Sequence, residues 1–155
     1  MSTPSAQLPA KTLIVGSQGR MGAMLLKRGR RAGLNMVGLD RPLEPERIVS
    51  ACDGCDLILL CVPAAVLGDV LALVCPHLPS DAVLADITSV KEEPMRQMAR
   101  TWQGPVVGTH PLFGPRPERG ADLPGAILAG ARAETEHLAL VQGFFEHLGC
   151  RVFAC

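Results

Sequence analysis

Short apolar runs alternate with amphipathic stretches along most of the chain. The clearest run, residues 57–62, is apolar at every position, which is typical of a central strand covered on both faces. Segments 20–31 and 134–148 place their apolar residues at helical spacing instead. This alternation predicts an α/β fold in three layers, with a doubly wound, mostly parallel sheet between two layers of helices.

The same patterns predict the remaining elements. Strands are predicted over 11–15, 35–39, 82–86, 105–108, 126–129 and 151–154, and helices over 66–74 and 90–100. The stretch 109–125, rich in proline and glycine, is predicted to be a loop. Residues 1–10 are polar and contain proline, so we expect a flexible tail before a single domain over 11–155.

Composition excludes several function classes. Fifteen lysines and arginines balance fifteen acidic residues, and only 3% of residues are aromatic, which argues against a nucleic-acid partner. No apolar run approaches the roughly 18 residues of a membrane span, and residues 1–10 lack the apolar core of a signal peptide. We therefore expect a cytoplasmic protein that acts on small molecules.

Six cysteines are the unusual feature of the composition. Cys52 and Cys55 have the spacing of half a zinc site, but no second pair follows at a matching distance. A structural zinc or a redox pair is the minor alternative. Reduced thiols with no bound metal are the preferred interpretation.

A glycine-rich segment, Gly16-Ser-Gln-Gly-Arg-Met-Gly22, joins the first strand to the first helix. The dinucleotide fingerprint G-x-G-x-x-G aligns with Ser17, Gly19 and Gly22, so serine replaces its first glycine. Glycines let a pyrophosphate approach the free amides at the helix N-terminus. This context, with a strand before and a helix after, predicts dinucleotide binding.

Asp40 closes the second strand about 20 positions after the glycine-rich segment. A carboxylate there can accept hydrogen bonds from the ribose hydroxyls and would repel a 2′-phosphate, so NAD is favoured over NADP. Arg41 could accommodate that phosphate, which keeps NADP as the less favoured alternative.

Three further segments follow predicted strands, at 61–63, 86–91 and 108–115, where α/β sheets bind ligands. His110 is the candidate catalytic residue because imidazole titrates near neutral pH and a glycine- and proline-flanked turn is predicted to present it. Ser89 is a candidate hydrogen-bond partner. A serine near a helix start is also a common N-cap, although Thr88 could take that role.

Four motifs together resemble one enzyme family. Val-Gly-Ser-Gln-Gly-Arg-Met-Gly, Leu-Cys-Val-Pro, Asp-Ile-Thr-Ser-Val-Lys and Gly-Thr-His-Pro-Leu-Phe-Gly-Pro occur in the order seen in prephenate dehydrogenases. The chain resembles the N-terminal NAD-binding Rossmann domain of that family, which includes arogenate-type relatives. The resemblance covers residues 14–115 by motif and continues to residue 155 by topology.

The resemblance implies oxidation of the ring carbinol of prephenate by hydride transfer to NAD, with loss of carbon dioxide to give 4-hydroxyphenylpyruvate in tyrosine biosynthesis. By motif, His110 accepts the hydroxyl proton and Ser89 helps to hold the histidine and the hydroxyl. The residues implied to contact the cofactor are Gly16, Ser17, Gln18, Gly19, Arg20, Met21, Asp40, Arg41, Cys61, Val62 and Pro63.

The helical second domain of the family is absent from this sequence. In the family it forms the homodimer and supplies cations for the substrate carboxylates, so we expect cofactor binding by this chain with little turnover. Two alternatives remain open. One is a different Rossmann oxidoreductase acting on a small acid or an imine, and the other is a non-catalytic dinucleotide-binding regulatory module.

Overall fold

The computed structural model describes residues 7–117, 123–130 and 132–154. Twelve helices and strands of the described residues alternate along most of the chain. In order they are β1 Thr12–Val15, α1 Arg20–Arg31, β2 Met36–Leu39, α2 Pro45–Cys52, β3 Leu57–Leu60, α3 Leu67–Val74, β4 Val83–Asp86, α4 Glu92–Thr101, β5 Val106–Pro111, β6 Leu123–Ala129, α5 Thr135–His147 and β7 Cys150–Ala154.

The strands form one sheet in the order β2-β1-β3-β4-β5-β6-β7. The first five strands are parallel to one another, β6 runs antiparallel to β5, and β7 pairs in parallel with β6. The α/β class and the mostly parallel sheet are therefore confirmed. The carboxyl ends of β1 to β5 share one edge of the sheet, where the predicted cofactor and catalytic residues lie.

Two apolar clusters cover the two faces of the sheet, which gives the three predicted layers. Side chains of α2, α3 and α4 cover one face, and side chains of α1 and α5 cover the other. The central strand β3 alternates its fully buried residues between these clusters, with Ile58 and Leu60 on one side and Leu57 and Leu59 on the other. This explains why the run has no polar position.

The predicted loop over 109–125 was wrong at both ends. β5 continues to Pro111 and β6 begins at Leu123, with Thr109 paired with Ile127 and His110 paired with Ala126. His110 therefore lies within a strand, not in the turn predicted for it. Glycine and proline favour turns locally, but antiparallel pairing satisfies these backbone groups and determines the structure.

The first described residues pack against the domain. The backbone amides of Ala10 and Lys11 donate to the carboxylate of Asp56, and the carbonyl of Gln7 lies where a side chain on Gly143 of α5 would be. Residues 1–6 are outside the described ranges, so the predicted tail over 1–10 stays a prediction. None of the helices described in this structure is long and apolar enough to cross a membrane.

Candidate cofactor and active site

The glycine-rich loop between β1 and α1 depends on two close backbone approaches. Gly16 has φ +89°, and a Cβ on it would collide with the carbonyl oxygen of Cys61 after β3. A Cβ on Gly22 would collide with the carbonyl oxygen of Gly16. The amide of Gly19 donates to that same carbonyl at 3.1 Å. Glycine is required at positions 16 and 22 because any side chain would separate the loop from β3 or from α1.

Ser17 takes the place of the first fingerprint glycine without strain. Arg132 is the one non-glycine residue with positive φ among the described residues. Ser17 therefore has a backbone conformation that any residue can adopt. Its hydroxyl packs over Gly38 of β2, where an added Cβ would approach Ser17 Oγ to 2.8 Å. The space for the serine side chain is therefore provided by a glycine on the neighbouring strand.

The N-terminus of α1 can receive an anion. Gly19 is the N-cap and supplies no side-chain acceptor for the amides of the first turn, and the first turn carries no acidic residue. Arg20, the first residue of the helix, is exposed, and Met21 is half-buried. Free amides, the helix dipole and a nearby cation together favour a phosphate group at this position.

Asp40 follows β2 and binds two backbone amides. Its Oδ2 accepts from the amide of Gln18 in the glycine-rich loop at 2.8 Å, and its Oδ1 accepts from the amide of Arg41 at 2.7 Å. Asp40 is half-buried, while the side chains of Gln18 and Arg41 are exposed. A carboxylate oxygen has two acceptor positions, so each can still accept a ribose hydroxyl.

Cys61, Val62 and Pro63 follow β3 beside the loop. The backbone of Cys61 continues the sheet through its amide, which donates to the carbonyl of Val15 at 2.7 Å. Burial raises the pKa of the Cys61 thiol, and the charge of Asp86 raises it further. The thiol is therefore held in the neutral form, and Cys61 meets β1 and the glycine-rich loop through its backbone. Val62 is half-buried and Pro63 is exposed.

The end of β4 carries a buried ion pair. Asp86 is 0% exposed, and its Oδ2 accepts from Lys91 Nζ at 2.6 Å and from the hydroxyl of Thr88. Lys91 Nζ also lies 3.2 Å from Thr88 Oγ1. Burial lowers the pKa of Lys91, and the opposing charge of Asp86 limits this effect. Thr88 is thus engaged with Asp86, and neither Ser89 nor Thr88 caps α4, because this helix begins later, with Lys91 at its N-cap.

Side chains connect the ends of β4 and β5. The hydroxyl of Thr109 donates to the carbonyl oxygen of Asp86 at 2.6 Å. The stem of Lys91 lies over Gly108, where a Cβ would approach Lys91 Cδ to 3.3 Å. Strand alternation places His110 on the same face as Gly108. Among the described residues no hydrogen bond joins Ser89, which is exposed, to His110, which is half-buried.

The fold and this edge of the sheet match a known family. The family model described as the prephenate dehydrogenase nucleotide-binding domain matches residues 34–154. The chain belongs to this family. The match includes the strand ends after β2, β3, β4 and β5 and begins after the glycine-rich loop, so the loop rests on its own geometry.

The match with individual relatives covers a small part of each relative's length. The T-protein of Enterobacter agglomerans is 35% identical over 103 residues, which are 66% of this chain and 27% of the relative. The T-protein of Haemophilus influenzae is 33% identical over 106 residues, with 67% and 27% covered. The chain therefore spans about a quarter of the length of these two relatives.

Solved structures of the family share the fold. The arogenate dehydrogenase of Synechocystis superposes with a TM-score of 0.78 at 24% identity, over 94% of this chain and 59% of that chain. The prephenate dehydrogenase of Aquifex aeolicus, in complex with hydroxyphenyl propionate and NAD+, gives a TM-score of 0.72 at 21% identity, over 99% and 61%. At these identities the comparison supports the fold alone.

The prephenate dehydrogenase motifs thus meet at one edge of the sheet, but two contributing residues were missed. One is Lys91, whose ammonium group reaches Asp86 only in the folded domain. The other is Arg47 of α2, which donates to the carbonyl oxygens of Asp40 and Pro42. For Lys91 the spacing Asp-x-Thr-x-x-Lys was a usable signal, whereas Arg47 had no signal in the sequence.

Cys52 and Cys55 are free thiols that bond to backbone carbonyls. The thiol of Cys52 donates to the carbonyl of His77 at 3.1 Å, and that of Cys55 donates to the carbonyl of Ala51 at 3.5 Å. Both thiols are buried, and burial raises the pKa of Cys55 to about 11. Within the described ranges, no cluster of three or more His, Cys, Asp or Glu side chains could hold a metal ion.

Proposed function

We propose that this chain is the cofactor-binding part of an NAD-dependent dehydrogenase that oxidises prephenate or arogenate. The observation that carries the proposal is the arrangement of one sheet edge. The glycine-rich loop follows β1, and His110 lies near the end of β5, with only β3 and β4 between these strands. A cofactor bound across the ends of the strands can therefore extend from the loop toward the imidazole.

The residues at this edge fit a dinucleotide. The close contacts of Gly16 and Gly22 leave the first-turn amides of α1 open to a pyrophosphate, and Asp40 provides the acceptor for the adenosine ribose. The carboxylate of Asp40 supports NAD over NADP because it would lie beside the 2′-phosphate. The nicotinamide ring supplies the hydride acceptor when the cofactor is bound.

His110 is the general base in this proposal. The substrate loses a hydride from its ring carbinol and the hydroxyl proton, and departure of carbon dioxide leaves the aromatic product. His110 accepts the hydroxyl proton. Hydride departure then becomes easier, because the developing carbonyl oxygen no longer carries this proton. Ser89 donates to the same hydroxyl or orients the imidazole. Because the chain spans about a quarter of its T-protein relatives, turnover requires protein beyond these residues.

Cofactor binding is tested on the chain itself by calorimetric titration with NAD and with NADP. Trp102 is a poor fluorescent probe because its indole donates to Ala82, just before β4 and at the opposite edge of the sheet. We expect NAD to bind about 10-fold more tightly than NADP or better, and Gly22→Val to abolish binding of both. Failure of the unmodified chain to bind either dinucleotide would overturn the proposal.

The catalytic role is tested with His110→Asn in the longest natural protein that carries this chain. We expect kcat to fall by about 10² to 10⁴, with an unchanged Kd for NAD. His147→Gln, an exposed histidine at the end of α5, is the matched control and should retain kcat. Unchanged turnover of His110→Asn would remove the catalytic assignment and favour another oxidoreductase chemistry. A regulatory activity that survives this change but not Gly22→Val would favour the non-catalytic module.

A further inference from the structure

The carboxylate of Asp40 joins the glycine-rich loop after β1 to the turn after β2. Its Oδ2 accepts from the amide of Gln18, which lies 22 residues earlier in the glycine-rich loop. Gln18 sits between Ser17 and Gly19, so this bond holds the middle of the loop. The amides of Gly16 and Ser17 also donate to the carbonyl of Leu39, at 2.8 and 3.2 Å. The loop is thus attached to the end of β2 at three consecutive residues.

The turn that presents Asp40 is held from α2. Arg47 Nη1 donates to the carbonyl oxygen of Asp40 at 3.0 Å and to that of Pro42. Arg47 lies on the exposed surface of α2, and Asp40 follows the last residue of β2 directly. The guanidinium therefore fixes the backbone that carries the carboxylate, and the carboxylate in turn fixes the loop.

We propose that Asp40 and Arg47 are positioning residues that hold the glycine-rich loop in its pyrophosphate-binding shape before the cofactor arrives. The inference rests on the proposed cofactor function and adds a second role to Asp40. Recognition of the ribose alone makes Asp40 irrelevant to a ligand that lacks ribose hydroxyls. A loop held by Asp40 makes it important for any ligand whose pyrophosphate binds at α1.

The two roles are separated by ADP and 2′,3′-dideoxy-ADP, which share adenine and pyrophosphate and differ in the ribose hydroxyls. For Asp40→Ala, measured by calorimetry, we expect affinity for dideoxy-ADP to fall about 10-fold, as for loss of a charge-assisted hydrogen bond. Removal of a negative charge would by itself strengthen binding of an anion, so a loss cannot arise from net charge. Asp40→Asn, which keeps one acceptor oxygen, should lose less.

A direct signature is available at the Gln18 amide. Hydrogen exchange at this amide, followed by NMR, should accelerate in Asp40→Ala while exchange within β3 stays unchanged. An unchanged dideoxy-ADP affinity in Asp40→Ala would overturn the positioning role and leave ribose recognition standing. No binding of ADP or NAD to the unmodified chain would instead overturn the proposed function itself.

Arg47 is tested with the same ligands. Arg47→Met should weaken ADP and dideoxy-ADP by the same factor, about 3-fold, and Arg47→Lys should recover part of the loss. The loss should persist in about 0.5 M NaCl, where a long-range charge effect is screened. Arg100→Met, at an exposed arginine in the last turn of α4, is the control and should bind like the unmodified chain. A loss that vanishes in salt would overturn the role of Arg47.

Discussion

Two aspartates lie at the ends of parallel strands of the same sheet, yet their burial and their partners differ. Asp40, after β2, is half-buried and uses its carboxylate to hold two backbone amides. Asp86, at the end of β4, is 0% exposed and is paired with Lys91. Oδ1 of Asp86 has no hydrogen-bond partner among the described residues. Water can replace the partners of Asp40, whereas Asp86 is held by Lys91, its one cationic partner among the described residues, and by the amide and hydroxyl of Thr88.

This difference in burial predicts that one aspartate affects cofactor binding and the other affects the stability of the fold. A half-buried carboxylate can lose a partner and be solvated, so its removal changes the shape of a loop more than the free energy of folding. A buried carboxylate without its cation keeps the whole cost of desolvation. We therefore expect the β2 end to determine cofactor affinity and the β4 end to determine whether the domain is stable.

The largest effect is expected at Lys91. Lys91→Met leaves the buried carboxyl group of Asp86 without its cation, which should lower the free energy of unfolding by about 3 to 5 kcal/mol in urea titrations. The double variant Asp86→Leu with Lys91→Met removes both charges and should recover most of the loss. A loss below about 1 kcal/mol in the single variant would show that Asp86 is accessible to water and would end the contrast with Asp40.

A smaller effect per group is expected from buried thiols at alkaline pH. Burial raises the pKa of Cys55, Cys75 and Cys150 to about 11 from an ordinary value of 9.0. Above about pH 9 the unfolded chain releases thiol protons that the folded chain keeps, so the free energy of unfolding falls as pH rises toward about 11. Below pH 9 this contribution is fully present. Each thiol accounts for about 1 to 2 kcal/mol across this window.

Urea titrations at several pH values check this dependence, and the chain contains no tyrosine to titrate in the same range. Cys75→Ala should show a shallower decline between pH 9 and 11 than the unmodified chain. Lys91, whose pKa is lowered by burial, contributes with the opposite sign and is common to both proteins. Parallel declines for the two proteins would mean that Cys75 is solvated in the folded domain.

The smallest effect on stability is expected at Asp40. Asp40→Asn should lower the free energy of unfolding by about 1 kcal/mol or less, because water can replace the lost acceptor at an accessible amide. Urea titration at pH 7 beside Lys91→Met provides the measurement. A loss for Asp40→Asn as large as that of Lys91→Met would show that the ends of β2 and β4 contribute equally to stability.

Local signals account for what the sequence predicted well. Helix α1 begins and ends at the predicted residues, and Asp40 lies beside the glycine-rich loop, because strand, glycines and helix follow within one short segment. Pairing between distant segments was not predictable. The extension of β5 through His110 depends on Ala126 of β6, and the role of Lys91 depends on how its stem crosses Gly108. α2 was missed because it is short, although Ile48, Ala51 and Cys52 have helical spacing and Pro45 stands in its first turn.

The position of His110 within β5 has a consequence for the proposed role of this residue as a general base. Pairing with β6 fixes its backbone, and the neighbouring Pro111 has a restricted φ, so rotation about two side-chain bonds is almost the only freedom left. In the proposed function, the entropy needed to order the imidazole is therefore lost once, when the sheet forms, and not again for every molecule of substrate. A histidine carried on a loop would have to be ordered in each encounter.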